Sequence, residues 1–346
     1  MANYTPAPED EYDVLIEGDL NDHDLEATWC PQYDTRTLSA GLVPQLYSAL
    51  FMAGILGHTW LVFVLVKYKG LRHVENIYFL NLTISNLCFL FTLPLWAHTA
   101  SHGGILGDPM CKIVTGLYSV GLYSEALWNT LLIVQRYLVF FDVRRISSAA
   151  RTMTCSIIAS VLAWGTVFLV TLPELMFYKP KVEGQCSFNK PSFLPAEEPF
   201  WKHFLTLKMN ILGLLFPLII SIFCYLQMRK TLRFQERRYN LFKLVFAIMV
   251  IFLLMWGPYN IVLFLATFKE FFSLHDCKST YHLDGGVQIT KFLAASHCCV
   301  NPLLFMFLNK TFRKCLCPLC GNTPLQTSQV PAHNSPQGEL SYSTEV

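Results

Sequence analysis

Five long runs of this chain contain no Asp, Glu, Lys or Arg. Each is at least about 20 residues long, which is the length that a helix needs to cross a hydrocarbon core about 30 Å thick. Because lipid offers no hydrogen-bond partner to a backbone group, such runs are predicted to cross a membrane as helices. The runs cover residues 42–66, 76–98, 152–173, 209–228 and 244–268.

Two further runs are apolar but contain charged residues. Residues 111–138 include Glu125 and Arg136, and residues 287–308 include Lys291. A charged side chain within a membrane is costly and usually has a functional role. With these two runs, the chain is predicted to be an all-α membrane protein whose seven-transmembrane helix bundle has spans one to seven in chain order.

The connecting segments predict how this bundle is oriented. Fourteen Lys and Arg follow spans one, three, five and seven, and fewer stand on the opposite side. Since cytoplasmic segments of membrane proteins carry the excess of basic residues, the N-terminus is predicted to be extracellular. The protein is therefore predicted to be a multi-pass protein of the plasma membrane. Residues 1–30 lack a basic segment followed by an apolar core, so no cleavable signal peptide is expected.

Composition divides the chain into four predicted segments. An acidic extracellular arm covers residues 1–41, and the bundle covers residues 42–308. An amphipathic juxtamembrane helix with cysteines is predicted over residues 309–320. The tail over residues 321–346 is rich in Pro, Ser, Thr and Gln and is predicted to be a disordered cytoplasmic segment.

The overall composition excludes a soluble enzyme. Only 14% of the 346 residues are charged, whereas soluble domains have about 25%, and the mean hydropathy is +0.38. No nucleophile, base and oxyanion constellation is apparent, and neither is metal-ligand spacing. A channel or transporter is disfavoured because the sequence shows no internal repeat. Membrane lipid is the expected environment, without a cofactor, a metal or a nucleic-acid partner.

The net charge of +2 conceals a strong asymmetry. Residues 1–35 hold ten acids and no Lys or Arg, and the 26 bases and 14 remaining acids give the other 311 residues a net charge of +12. A mobile arm with about ten negative charges attracts a basic protein and raises its association rate. The sequence therefore predicts capture of a cationic protein ligand outside the cell.

Six of the predicted spans contain characteristic motifs in a fixed order. The motifs are Asn81, Asn86 and Thr92-Leu93-Pro94 in span two, Gln135-Arg136-Tyr137 in span three, Trp164 in span four, Pro217 and Tyr225 in span five, Trp256-Gly257-Pro258-Tyr259 in span six and His297-Cys298-Cys299-Val300-Asn301-Pro302 in span seven. Together they resemble the motifs of rhodopsin-like G-protein-coupled receptors. The Thr-Leu-Pro run, four outer cysteines and the His-Cys-Cys-x-Asn-Pro run resemble the chemokine-receptor branch, and within it an atypical member.

This resemblance implies a function. An atypical member binds its protein ligand and concentrates, presents or internalises it with little or no G-protein signalling, and so modulates leukocyte chemotaxis and inflammation. The implied ligands are chemerin and a basic chemokine, and the implied partners are arrestin and other chemokine receptors. The alternative is a conventional chemokine receptor that signals through G proteins.

Two departures from the family pattern separate these alternatives. The Asp that precedes Arg136 in signalling members, and restrains it until activation, is Gln135 here. A Gln supplies no charge, so this restraint on Arg136 is expected to be weaker. The Tyr expected after Asn301-Pro302 is Phe305, which lacks the hydroxyl that would bridge towards Tyr225 in an active state. The second change argues against coupling.

The polar centre of the bundle also differs from the family. The usual Asp of span two is Asn86, the Asn of span one is His58, and a small residue of span three is Glu125. This exchange disturbs the arrangement with which the family binds sodium. Glu125 is expected to face Asn86, Asn301 and His297. Two interpretations stay open, a functional ionisable group and a neutral, hydrogen-bonded structural Glu.

Candidate ligand-binding residues lie in the arm and in the outer half of the bundle. Tyr12 stands in an acidic context suited to sulfation, although an unmodified Tyr in an acidic run is the alternative. In the bundle, Lys291 stands where the family often has Glu, so it can receive a carboxylate such as the C-terminus of chemerin. The pocket residues can equally be bundle packing. The candidates are Glu9, Asp10, Glu11, Tyr12 and Asp13 in the arm and Trp96, Tyr118, Tyr259 and Lys291 in the pocket.

The cysteines and one sequon predict covalent features. Four outer cysteines allow three pairings, between which the sequence cannot choose. The resemblance implies Cys111 with Cys186 and Cys30 with Cys277. Asn3 begins an outer glycosylation sequon. Juxtamembrane cysteines are commonly palmitoylated, which is favoured over metal binding for Cys315, Cys317 and Cys320.

Overall fold

The computed structural model describes most of the chain between residues 36 and 308. Several of the predicted features fall elsewhere, including most of the arm, the juxtamembrane helix and the tail. Asn3, Glu9, Asp10, Glu11, Tyr12, Asp13, Cys30, Cys315, Cys317 and Cys320 lie outside the described residues. Those residues are 36–69, 74–102, 107–141, 149–180, 186–189, 191–195, 197–232, 239–274 and 276–308.

The described residues form a bundle of seven spans, as predicted. Spans two, five and seven each consist of two consecutive helices, and the others are single helices. The helices are α1 (Arg36–Val64), α2 (Val74–Leu90) and α3 (Leu93–His102), α4 (Asp108–Phe140), α5 (Ala149–Phe177), α6 (Glu198–Asn210) and α7 (Phe216–Leu232), α8 (Tyr239–Thr267), and α9 (Cys277–Ala295) and α10 (His297–Leu308).

Five helical segments among the described residues have the length and composition of a membrane span. They coincide with the five charge-free runs of the sequence. The other two spans, α4 and α9 with α10, are those with charged residues inside. The five segments are Val43–Lys67, Val74–His98, Met153–Phe177, Glu198–Thr231 and Val245–Thr267.

Prolines account for the interruptions within spans two and five. A proline has no N–H and leaves the carbonyl four residues earlier without its helical donor. Near Pro94, α2 ends at Leu90, and the Thr92 hydroxyl donates a 2.6 Å hydrogen bond to the Phe89 carbonyl. Before Pro217, the backbone widens into a π-helix over Ile211–Leu215.

Helix α4 is the centre of the bundle, because it packs against α2, α5, α7 and α8. Large apolar side chains remain exposed on the outer faces of α1, α5 and α7, among them Leu56, Leu169 and Ile219. Exposed apolar residues at this density suit contact with lipid tails. The fold therefore directs its apolar surface towards the membrane.

A disulfide and a short hairpin lie at the N-terminal end of α4. Strands β1 (Tyr178–Pro180) and β2 (Cys186–Phe188) pair antiparallel, with Lys179 opposite Ser187. Cys186 of β2 is bonded to Cys111 of α4, as the family resemblance implied. Cys277 is also disulfide-bonded, and its predicted partner Cys30 lies outside the described residues. The hairpin is thereby fixed over the bundle.

Candidate ligand pocket, polar core and coupling end

Four predicted pocket residues come together from four different spans. The Lys291 ammonium nitrogen lies 4.2 Å from the centre of the Trp96 ring and 5.9 Å from that of Tyr118. The Tyr118 and Tyr259 hydroxyl oxygens are 3.4 Å apart. Lys291 is only 2% exposed. A desolvated cation above an aromatic face gains about 2 kcal/mol, so the rings help the bundle to accommodate this charge.

The four side chains thus form one buried cluster, in which aromatic rings lie next to an ammonium group. In a low-dielectric environment, such a charge interacts with other charges more strongly than it does in water.

Aromatic contacts connect this pocket with the polar residues deeper in the bundle. The Phe89 ring centre lies 5.3 Å from that of Tyr118 and 5.2 Å from that of His297. Trp256 packs against His297 at 4.9 Å. Phe89 and Trp256 therefore lie in contact with both the aromatic cluster and the polar residues.

The polar core is built around Glu125, which is 2% exposed. Its Oε2 lies 2.5 Å from His297 Nε2. Its Oε1 accepts hydrogen bonds from the amides of Asn301 at 3.2 Å and Asn129 at 3.5 Å. The Asn301 amide also donates to Asn86 Oδ1 at 3.3 Å. The structure thus brings Glu125 to Asn301 and His297 directly and to Asn86 through Asn301.

His58 belongs to the same core but contacts a different group. Pro302 has no N–H, so the Cys298 carbonyl, four residues earlier, has no helical donor. His58 Nε2 lies 2.9 Å from this carbonyl oxygen and donates to it. The histidine therefore connects span one to the proline break in span seven.

Near the C-terminal end of α4, Arg136 is paired with a residue that the sequence analysis did not select. Its guanidinium Nη2 donates to Oε1 of Glu75, in the first turn of α2. Gln135 is buried, and its Oε1 finds no hydrogen-bond donor among the described residues. The carboxylate that restrains Arg136 therefore comes from a different helix than in the family pattern.

The remaining coupling residues take the following positions. The Tyr137 ring lies 4.8 Å from that of Phe141, and the Tyr225 ring stacks on Phe242 at 5.0 Å. Pro258 is within α8, while Pro302 and the backbone of Phe305 are within α10. Apolar residues between α4, α7 and α8 close the bundle near these tyrosines, namely Ile133, Phe140, Cys224, Met228 and Val245.

A second buried ion pair was also missed by the sequence analysis. Lys208 of α6 lies 2.6 Å from Glu174 of α5, and the Tyr123 hydroxyl of α4 donates to Glu174 at 2.8 Å. Lys208 and Glu174 directly adjoin charge-free runs, as Glu75 does. The criterion that delimited the spans therefore assigned all three residues to connecting segments. The sequence signal that could have revealed these ion pairs was the position of each charged residue, directly at the end of a charge-free run.

The described residues form a bundle of seven spans with an aromatic cluster around Lys291 and an Arg near the C-terminal end of α4. The sequence profile described as "7 transmembrane receptor (rhodopsin family)" matches residues 57–305, so the chain belongs to this family. Human C-C chemokine receptor-like 2 is 60% identical to it over the full length of both chains.

Other relatives place the chain in the chemokine-receptor branch. Bovine chemokine C-C motif receptor-like 2 is 60% identical over 99% of this chain and all of its own length. Human C-C chemokine receptor type 1 is 40% identical over 90% of this chain and 87% of its own length. The protein is therefore a multi-pass plasma-membrane receptor and not an enzyme. Its family implies a protein ligand and G-protein or arrestin partners.

Proposed function

We propose that this receptor captures chemerin at the cell surface and concentrates, presents or internalises it, with little or no G-protein signalling. A basic chemokine is the second ligand that its family and its acidic arm favour. By controlling the local ligand concentration, the receptor modulates leukocyte chemotaxis and inflammation. Its acidic N-terminus faces outwards, where it meets the ligand.

The contact between Arg136 and Glu75 is the observation that carries the proposal of weak signalling. In signalling members the neighbouring Asp holds the Arg within one helix, and its release lets the Arg meet the G protein. Here the ion pair joins α4 to α2, so its release requires a change between two helices. Phe305 adds a second obstacle, because it lacks the hydroxyl of the usual Tyr.

Ligand capture is supported at two places. The first 35 residues carry about ten negative charges that attract a basic surface. Behind them, the buried ammonium of Lys291 among Trp96, Tyr118 and Tyr259 suits a carboxylate. The proposed order is therefore electrostatic capture by the arm, followed by insertion of an anionic ligand end.

The decisive experiment measures chemerin binding beside G-protein and arrestin responses in the same transfected cells. We expect saturable surface binding without ligand-driven calcium release or a change in cyclic AMP. The intact Arg136-Tyr137 and Asn301-Pro302 pairs favour the alternative of a conventional signalling receptor. A robust ligand-dependent G-protein response would establish that alternative and refute our proposal.

Neutralising the arm should slow ligand association. In a variant with Glu9→Gln, Asp10→Asn, Glu11→Gln and Asp13→Asn, we expect an association rate roughly tenfold lower at low salt. The rate should also depend less on salt, because fewer charges remain to be screened. Surface plasmon resonance on captured receptor measures both effects. Tyr12→Phe serves as the companion variant for sulfation, and unchanged kinetics in the charge variant would confine recognition to the bundle.

Removing the pocket charge should weaken binding of a ligand that ends in a free carboxylate. For Lys291→Met, which keeps an apolar stem of similar length, we expect roughly tenfold weaker binding, since a charged hydrogen bond contributes about 1.5–3 kcal/mol. A C-terminally amidated ligand should bind the variant and the wild type alike. Lys278→Met, an exposed change on the same helix, is the control. Equal losses for both ligand forms would refute carboxylate recognition.

A further inference from the structure

Nitrogen atoms of the protein lie next to both oxygens of the Glu125 carboxylate. His297 Nε2 lies 2.5 Å from Oε2, and the amides of Asn301 and Asn129 donate to Oε1. The rings of Phe89 and Trp256 pack against the imidazole, with their centres 5.2 and 4.9 Å from its own. This cluster occupies the polar centre where the family is expected to bind sodium.

The contacts of His297 determine how many protons it shares with Glu125. Its Nδ1 contacts the Ala294 carbonyl, and a carbonyl can only accept, so Nδ1 carries a proton. Nε2 lies 2.5 Å from Oε2, and Oε2 has no partner with hydrogen-bond geometry among the described residues. A proton shared between these two atoms would make the pair neutral as a whole, either as imidazolium with carboxylate or as imidazole with carboxylic acid.

The other donors of the core favour the charged form of this pair. Asn301 and Asn129 both direct N–H groups at Glu125 Oε1, and hydrogen bonds to a carboxylate stabilise its charged form. Cys298 Sγ also lies 3.1 Å from His297 Nε2. His58 contacts the Cys298 carbonyl rather than Glu125. The ring of His297 is thus the basic group that faces the second oxygen of Glu125.

These residues do not fit a sodium ion. Like other hard cations, sodium requires several oxygen ligands with free lone pairs. In this core, Glu125 faces nitrogen donors on both oxygens, and Asn86 Oδ1 accepts the Asn301 amide. Asn86 also carries no charge where the family has Asp. An imidazolium beside the carboxylate would in addition repel a cation.

We propose that the His297 side chain takes the place of the sodium ion in this receptor, so that its stability is independent of sodium. The cation is built into span seven and its carboxylate into span three, which holds these spans together without an ion from solution. The receptor then keeps the same core arrangement at the high sodium concentration outside the cell and at the low sodium concentration inside it.

Thermal unfolding of the purified full-length receptor tests this proposal without any signalling readout. Sodium chloride and choline chloride are compared at about 150 mM, the same ionic strength. The wild type should unfold within about 1 °C in the two salts. His297→Asn leaves Glu125 without its cation, so sodium should raise the unfolding temperature of this variant by roughly 3 °C.

Two further variants make the result specific. His58→Asn removes another buried histidine that does not contact Glu125, so its unfolding should stay independent of sodium. In Glu125→Gln/His297→Asn the carboxylate is also absent, and the sodium effect should disappear. If His297→Asn does not fold, His297→Gln replaces it. Sodium stabilisation of the wild type by several degrees would overturn the proposal, and so would sodium independence of both His297 variants.

Discussion

Returning three inner-end residues to the family pattern should restore G-protein coupling. In Glu75→Gln/Gln135→Asp/Phe305→Tyr, Arg136 loses its partner on α2 and regains one on its own helix, while the hydroxyl of the family pattern returns at position 305. We expect ligand-driven calcium release at least about tenfold above that of the wild type, which corresponds to about 1.4 kcal/mol in the conformational equilibrium. Calcium imaging at matched surface expression measures this gain.

Partial variants show which residue limits coupling. Gln135→Asp/Phe305→Tyr keeps Glu75, so Arg136 is held by two carboxylates and the gain should be smaller than in the triple variant. Glu270→Gln, an exposed change elsewhere, controls for the loss of one negative charge and should behave as the wild type. If the triple variant binds ligand and remains silent, the defect lies in the inner loops, where residues 138–145 also depart from the family.

Breaking the buried pair between Glu174 and Lys208 should destabilise the receptor severely. Lys208→Met leaves Glu174 buried without its counter-charge, which costs about 3–5 kcal/mol when one partner of a buried pair is removed. The remaining hydrogen bond from Tyr123 compensates only part of this cost. We expect an unfolding temperature lower by roughly 10 °C, measured by thermal unfolding in detergent.

The double variant distinguishes charge from packing. Glu174→Gln/Lys208→Met removes both charges and keeps the side-chain volumes similar, so most of the stability should return, because replacing both partners is often neutral. Glu198→Gln, which removes a more exposed partner of Lys202, should cost less than about 1 kcal/mol. Equal destabilisation of the single and double variants would show that lost contacts, rather than an unpaired charge, cause the effect.

The fold could be predicted because membrane spans are a local property of the chain. The five charge-free runs correspond to the five apolar helical segments of the described residues. The two runs with internal charges form α4 and the pair of α9 and α10. The family resemblance grouped Trp96, Tyr118, Tyr259 and Lys291, which are far apart in sequence, and the structure brings them into contact. Their role in ligand binding stays a prediction. Hydropathy alone contains no information about which spans are neighbours.

The partners of the charged residues could not be predicted, for a physical reason. Three of these residues directly adjoin the apolar runs, namely Glu75, Glu174 and Lys208. At such a position, a charge can be solvated by water or lipid headgroups, or it can pair with an opposite charge of the protein. Only helix packing brings Glu75 to Arg136 and Lys208 to Glu174. The expectation of a weakly restrained Arg136 considered position 135 alone and did not include a carboxylate from span two.

The sequence by itself determined the number of spans, the predicted orientation and the asymmetry of charge, because each depends on residues that are close in the chain. The tertiary structure decided which charge meets which partner. Whether Glu125 holds a proton, a sodium ion or an imidazolium depends on His297, Asn301 and the Ala294 carbonyl. These groups come from a span more than 160 residues away, and only packing in a medium without water makes their contacts obligatory.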